Sequence, residues 1–168
     1  MIGRGSNILF TDQGFRGLIV KNFTKSVRVE GNTIIADSGV LLGQIIRLSI
    51  DHNLVGLEPF YGLPGSMGGA LYGNAGIPDT EIGRFVKSAT IFNVSEGVRE
   101  VPAQEISFGY RQTSLQQKHE LILSVTLELE SGEGQKSKEL LKKIGDTRYL
   151  HKSQDGQILR IWELLKKQ

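Results

Sequence analysis

The densest chemistry in this sequence lies in Gly62-Leu63-Pro64-Gly65-Ser66-Met67-Gly68-Gly69-Ala70. Pro64 fixes the entry to a turn, and Gly65 and Ser66 open a short helical turn. The free N–H groups of such a turn suit a pyrophosphate. Gly68 and Gly69 let backbone or ligand approach closely, and Asn74-Ala75-Gly76 follows. The competing reading is a surface loop of turn residues. However, structureless loops beyond ~12–15 residues are usually functional or disordered, and this Gly/Pro-rich stretch runs from Gly56 to Gly83. It also carries Leu57, Phe60, Tyr61, Leu63, Met67, Leu71 and Tyr72, too apolar for disorder, so an ordered loop with apolar anchors is the better expectation. A second cluster, Gly3-Arg4-Gly5-Ser6-Asn7, combines glycines that allow positive φ, side-chain donors at Ser6 and Asn7, and the charge of Arg4. Such a loop can converge its N–H groups on an anion, although taken alone an ordinary turn is the commoner outcome. In a third stretch, Ser107 to Ser114, Tyr110 and Arg111 stand side by side on a turn, by default a surface pair.

Other chemistries are poorly supported. No GxGxxG closes a βαβ unit and no GxxxxGK[ST] loop is present. His52, His119 and His151 share no motif spacing and read as surface or helix-end residues rather than metal ligands. The carboxylates form no recognisable pair. With no cysteine, disulfides, zinc–thiolate sites and thiol-linked flavin are excluded, and a reducing, cytoplasmic compartment is expected. The net charge of +2 and the scattered Lys and Arg give no argument for nucleic acid. No apolar run approaches the ~20 residues of a membrane span, and Met1-Ile2-Gly3-Arg4-Gly5 has no signal-peptide core. The 21 glycines among 168 residues concentrate in the two clusters, Gly3–Gly17 and Gly56–Gly83.

These motifs need a scaffold. Ile8–Phe10 and Leu18–Val20 read as two short strands. Val27–Glu30 and Thr33–Ala36 flank Gly31-Asn32, a hairpin signal. Asp37 or Ser38 offers a helix N-cap, and Leu41, Leu42, Ile45, Ile46 and Leu48 follow at helical spacing, with Asn53 as a stop. Val86–Val94 and Val98–Val101 around Gly97 form a second hairpin. Leu121, Leu123, Val125, Leu127 and Leu129 alternate as in a strand. Ser137–Tyr149 and Gln157–Lys167 read as helices after a break at Gly132-Glu133-Gly134. Strands, helix, strands, helices in that order predict an α+β fold.

Taken in order, the motifs resemble the UDP-N-acetylenolpyruvoylglucosamine reductases. Four stretches carry the resemblance: Gly3-Arg4-Gly5-Ser6-Asn7-Ile8-Leu9 with Gly14-Phe15-Arg16-Gly17; Gly56-Leu57-Glu58; Gly62 to Ala70 with Asn74-Ala75-Gly76; and Phe108-Gly109-Tyr110-Arg111. The third is the most specific, and the order holds from residue 3 to about residue 130. The resemblance implies an FAD-binding fold of the vanillyl-alcohol oxidase (PCMH) type, with noncovalent FAD and NADPH as hydride donor. It places Gly3, Arg4, Gly5, Ser6, Asn7, Gly65, Ser66, Gly68, Gly69, Asn74 and Gly76 at the cofactor. Arg111 falls at the carboxylate of a UDP-sugar enolpyruvyl ether, with Tyr110 lining the same pocket. The implied reaction makes UDP-N-acetylmuramate for peptidoglycan.

The resemblance also implies a fold truncated at both ends. Its family carries a strand-and-helix segment ahead of the first glycine loop, and later a serine that donates a proton and a glutamate. No residue after Arg148 matches these, so Ser153 and Glu163 inherit no role. The expected organisation is an FAD-binding domain over 1–131, its first subdomain incomplete, and a helical segment over 132–168 in place of a substrate-binding domain. A complementing chain or domain would then supply the rest, and the chain alone would not complete the reaction. The segment Ile158–Lys167 is amphipathic and either caps the core, docks on a partner or lies solvated. The alternatives are an FAD-binding module of another oxidoreductase of the same fold, or a non-catalytic remnant.

Overall fold

A computed structural model describes residues 1–117 and 120–155. Two hairpins and one long strand build the central sheet. β1 (Val27–Glu30) and β2 (Thr33–Asp37) pair antiparallel around Gly31-Asn32, with Gly31 at φ 58° making the tight turn. α1 (Leu42–Asp51) and β3 (Leu54–Val55) follow. A short 3-10 turn at Glu58–Phe60 precedes α2 (Met67–Tyr72) and the small hairpin β4 (Gly76–Ile77) and β5 (Thr80–Glu81). β6 (Val86–Asn93) and β7 (Gly97–Pro102) form the second large hairpin, and β8 (Phe108–Gly109) and β9 (Gln112–Thr113) a tight one. β10 (Leu121–Glu128) returns through the middle of the sheet, β11 (Glu130–Ser131) pairs with β3, and α3 spans Gly134–Asp155.

The sheet order is β1-β2-β10-β6-β7, antiparallel throughout. β10 joins the two hairpins, so one alternating strand ties the early chain to the late chain. Its buried residues Ile122, Val125 and Leu127 meet Ile34 and Ala36 of β2 and Ala89 and Ile91 of β6 in one core. Register shifts between Ile122 and Ser124, and between Thr126 and Leu127, adjust the pleat. Helix α1 covers this face with Leu42, Ile45, Ile46, Ser49 and Ile50, at i, i+3, i+4, i+7 and i+8.

The hairpins, the first helix and the alternating strand match the sequence reading, and the α+β architecture stands. Three expectations are corrected. The N-cap of α1 is Leu41, not Asp37 or Ser38. Asp37 is spent in β2, where its carboxylate accepts from Ser26 N–H, and Ser38 N–H bonds Leu123 O. Ile8–Phe10 and Leu18–Val20 do not form strands, since the sole ladder contact is a parallel bridge between Ile2 and Lys21. A strand is stabilised by cross-strand neighbours, and among the described residues these runs have only one such bond, from Ile2 N–H to Val20 O, with Leu9 76% and Leu18 86% exposed. The helix expected over Ser137–Tyr149 begins earlier, at Gly134, and runs to Asp155, while Gln157–Lys167 lies outside the described residues. The start of α3 packs on the same body. Gly134 N–H bonds Asn53 Oδ1, and the Ser137 hydroxyl donates to buried Glu58, whose other oxygen accepts from Gly56 N–H.

Ile46 is fully buried in α1. Replacing it with alanine should cost about 2–5 kcal/mol of unfolding free energy, measured by urea denaturation with an unchanged m-value.

Candidate functional site

The two glycine clusters, some sixty residues apart in sequence, meet edge to edge. The Ser6 hydroxyl donates to Pro64 O at 3.3 Å. A Cβ on Gly3 would stand 2.2 Å from Ser66 Oγ and 3.2 Å from Ser66 Cβ, so the two loops pack closely here and a larger residue would have to displace the Ser66 side chain. The Pro-Gly-Ser loop is also stitched to the turn before α1. Met67 N–H bonds Val40 O at 2.8 Å, Gly68 N–H bonds Ser38 O at 2.9 Å, and Leu42 N–H bonds Gly65 O at 3.1 Å. Gly65 takes φ 137°, a conformation open to glycine. A Cβ on Gly68 would lie 2.6 Å from Ser38 Cβ, so this glycine serves loop packing as well as any ligand. At Gly69 the nearest atom to an added Cβ is 3.6 Å away, ordinary contact.

Between these loops lies a cavity of about 740 Å³. Gly3, Arg4, Gly5, Ser6, Asn7, Gly65, Ser66, Gly68, Gly69 and Arg111 all line it. Among the described residues, the N–H groups of Ser66 and Gly69 have no hydrogen-bond acceptor, whereas those of Met67 and Gly68 are spent on Val40 and Ser38. Asn74 and Gly76 do not line this cavity. The buried Asn74 amide donates to Glu81 and Gly109 O and accepts from Gly83 N–H, holding the β4–β5 hairpin against β8. Gly76 packs on Glu81 within that hairpin, where a Cβ would meet Glu81 Cγ at 2.8 Å.

Tyr110 and Arg111 are the two loop residues of the β8–β9 hairpin. Arg111 adopts φ 58°, a left-handed backbone rare outside glycine, and its guanidinium carbon sits 5.8 Å from the centre of the exposed Tyr110 ring. Two bonds onto Tyr72 O, from the Thr113 hydroxyl at 3.1 Å and Gln116 Nε2 at 2.7 Å, anchor this hairpin region to the end of α2. Arg111 also lines a second cavity of about 600 Å³, with Tyr110, Arg84, Leu63 and the β4–β5 hairpin. Arg111 and Leu63 therefore belong to both cavities.

The electrostatics of the larger cavity are set by Arg4, Arg111 and one carboxylate, Glu120. Arg99 engages one oxygen of Glu120, Nη2 to Oε1 at 2.6 Å, and also faces Glu96 with Nε at 2.9 Å, while Glu120 Oε2 is buried without a hydrogen-bond partner among the described residues. The wall is therefore cationic on balance. Away from the cavity, a hydrogen bond from Arg47 to the Tyr61 hydroxyl raises the Arg47 pKa above its usual value. His52 ends α1, with its ring Nδ1 2.9 Å from Leu48 O. No group of metal-ligating side chains occurs among the described residues, and none of the described helices is long and apolar enough to cross a membrane.

The sequence reading missed Asn22, Ser38, Tyr72, Gln116 and Glu120, which also line the cavity. Only Tyr72 lies in a glycine-rich stretch, where it read as an apolar anchor. The one local signal was Ser38-Gly39, a pair of small residues between a strand and a helix.

The sheet, the paired glycine loops and the cavity between them define the class, an α+β FAD-binding fold of the vanillyl-alcohol oxidase type. The crystal structure of UDP-N-acetylenolpyruvylglucosamine reductase from Thermus caldophilus shares it, with a TM-score of 0.62 at 23% identity over 68% of this chain and 42% of that one. In sequence, the reductase of Clostridium perfringens strain SM101 is 37% identical over 134 residues, 79% of this chain and 44% of the relative. That of Clostridium tetani is 36% identical over 150 residues, 88% of this chain and 48% of the relative. The chain is homologous to the UDP-N-acetylenolpyruvoylglucosamine reductases and spans less than half the length of these curated relatives. No family model matches it.

Asn74→Leu should cost at least about 2 kcal/mol, because it leaves Gly83 N–H and Glu81 without their buried partner. Gly69→Ala should leave the melting temperature nearly unchanged. Thermal denaturation of the two variants side by side checks both outcomes.

Proposed function

We propose that this chain forms the FAD-binding part of a UDP-N-acetylenolpyruvoylglucosamine reductase. The observation that carries the reading is the joining of two distant glycine loops around one cationic cavity. The residues fit the group. The volume of about 740 Å³ lies within the usual range for cofactor sites, two backbone N–H groups there are unspent, and Arg4 adds positive charge for a pyrophosphate. Gly3, Arg4, Gly5, Ser6, Asn7, Gly65, Ser66, Gly68 and Gly69 would hold FAD directly. Asn74 and Gly76 would act through the hairpin they build. Bound FAD would supply the hydride chemistry of the reaction, with NADPH as donor.

The second cavity would take the UDP-sugar enolpyruvyl ether. Arg111 stands at the boundary of the two cavities, where a guanidinium fork can grip a carboxylate through two parallel bonds. From there it would also stabilise negative charge developing on the enolpyruvyl group. Tyr110 lines the same cavity and stacks beside that guanidinium. The product would be UDP-N-acetylmuramate, a peptidoglycan precursor. The cysteine-free composition fits reaction in a reducing cytoplasm.

Titrating the flavin-free protein with FAD should give saturable quenching of flavin fluorescence, and a protein that leaves FAD fluorescence unchanged would sink the flavoprotein reading. With FAD bound, the enolpyruvyl substrate should perturb the flavin absorbance. Arg111→Lys should keep FAD affinity but weaken that response by roughly 1.5–3 kcal/mol, because a point charge cannot reproduce the fork. Equal substrate affinity in the variant would remove Arg111 from the carboxylate.

A further inference from the structure

Asn22 and Ser38 lie on the wall of the larger cavity, and neither belongs to a glycine motif. Their hydrogen bonds leave one choice of orientation. Thr24 N–H can only donate, and it meets the Asn22 side chain at 2.9 Å, so the atom there is the acceptor Oδ1. The amide nitrogen therefore faces Ser38 Oγ at 2.7 Å. An amide nitrogen only donates, so the Ser38 oxygen accepts in that bond and its own O–H proton goes elsewhere. Among the described residues nothing takes it. The Ser38 backbone N–H and C=O are already spent on Leu123 and Gly68. The second N–H of the Asn22 amide likewise has no acceptor among the described residues. Ser38 is only 2% exposed, and buried donors are nearly always matched.

We infer that the Ser38 hydroxyl, oriented by Asn22, is a further anion-binding donor of the cavity, directed at a phosphate oxygen of the bound dinucleotide. The inference rests on the FAD reading above and adds a residue pair to it. Charge favours phosphate over a neutral carbonyl. Two arginines, Arg4 and Arg111, line the same cavity against one carboxylate, Glu120, and Arg99 engages one oxygen of that carboxylate. Position favours it too. Ser38 O holds Gly68 N–H, and Asn22 N–H bonds Ile2 O beside the first glycine loop. The pair thus sits where the two loops meet, and Ser38 offers a donor next to a loop amide that its own carbonyl has already taken.

The test uses the 168-residue protein and two variants, Ser38→Ala and Asn22→Asp. The first deletes the donor. The second keeps an acceptor for Thr24 N–H, but its new carboxylate captures the Ser38 proton and adds repulsion toward an anion. FAD affinity should fall about tenfold in Ser38→Ala and roughly a hundredfold in Asn22→Asp. The melting temperature of ligand-free Asn22→Asp should stay near that of the unaltered protein, because both internal bonds survive. At saturating FAD, a phosphorus NMR resonance of the bound dinucleotide should move in Ser38→Ala. Affinities within about twofold of the unaltered protein would overturn the inference while leaving the FAD reading intact. Weaker binding without any phosphorus shift would reassign the donor to a carbonyl and overturn the phosphate assignment. Failure of the unaltered protein to bind FAD would remove both readings together.

Discussion

The site depends on close packing at two glycines, Gly3 against the Ser66 side chain and Gly68 against Ser38. At each, a single added carbon would fall well inside contact distance. Because it does not, the N-terminal loop, the turn before α1 and the start of α2 close around one space. The hydrogen bonds of Met67, Gly68 and Leu42 then lock the arrangement, and Ser6 bridges to Pro64. These bonds use amides that a loop of this composition would otherwise offer to a ligand. The anion-binding capacity is therefore shared between the remaining backbone donors and side chains.

A second constraint acts at Arg111. A left-handed backbone at a non-glycine residue costs roughly 1–2 kcal/mol and persists where its surroundings over-determine it. Here the β8–β9 pairing and the two bonds onto Tyr72 O hold the segment against α2. The strain places the guanidinium where the larger cavity meets the second one. Asn74 works from behind, fixing the hairpin that lines the second cavity. The chemistry-bearing arginine and the glycine loops are thus joined through α2, at whose two ends they sit.

Much of the scaffold was legible from patterns a few residues long. The alternation over Leu121–Leu129 and the turn at Gly31-Asn32 depend on local geometry, and the elements follow them. The same logic failed at Ile8–Phe10 and Leu18–Val20. Those residues have the right composition, but a strand exists only with a neighbour, and composition does not name one. The reading of Asp37 or Ser38 as a cap failed for a related reason. Both had better-paid positions in the sheet and against Gly68, and a local preference of about 1 kcal/mol yields to such tertiary bonds.

By itself the sequence determined the two large hairpins, α1, the alternating strand β10, the two glycine loops and the Tyr110–Arg111 turn, because periodicity, turn chemistry and the freedom of glycine are properties of neighbouring residues. It also carried the family resemblance. Only the tertiary structure decided which glycines touch which segments, that Asn74 holds a hairpin rather than lining the larger cavity, and that Ser38 and Asn22 belong to the site. Those outcomes turn on hydrogen-bond partners and on close packing at glycines between segments far apart in the chain, and no local pattern encodes who the partner is.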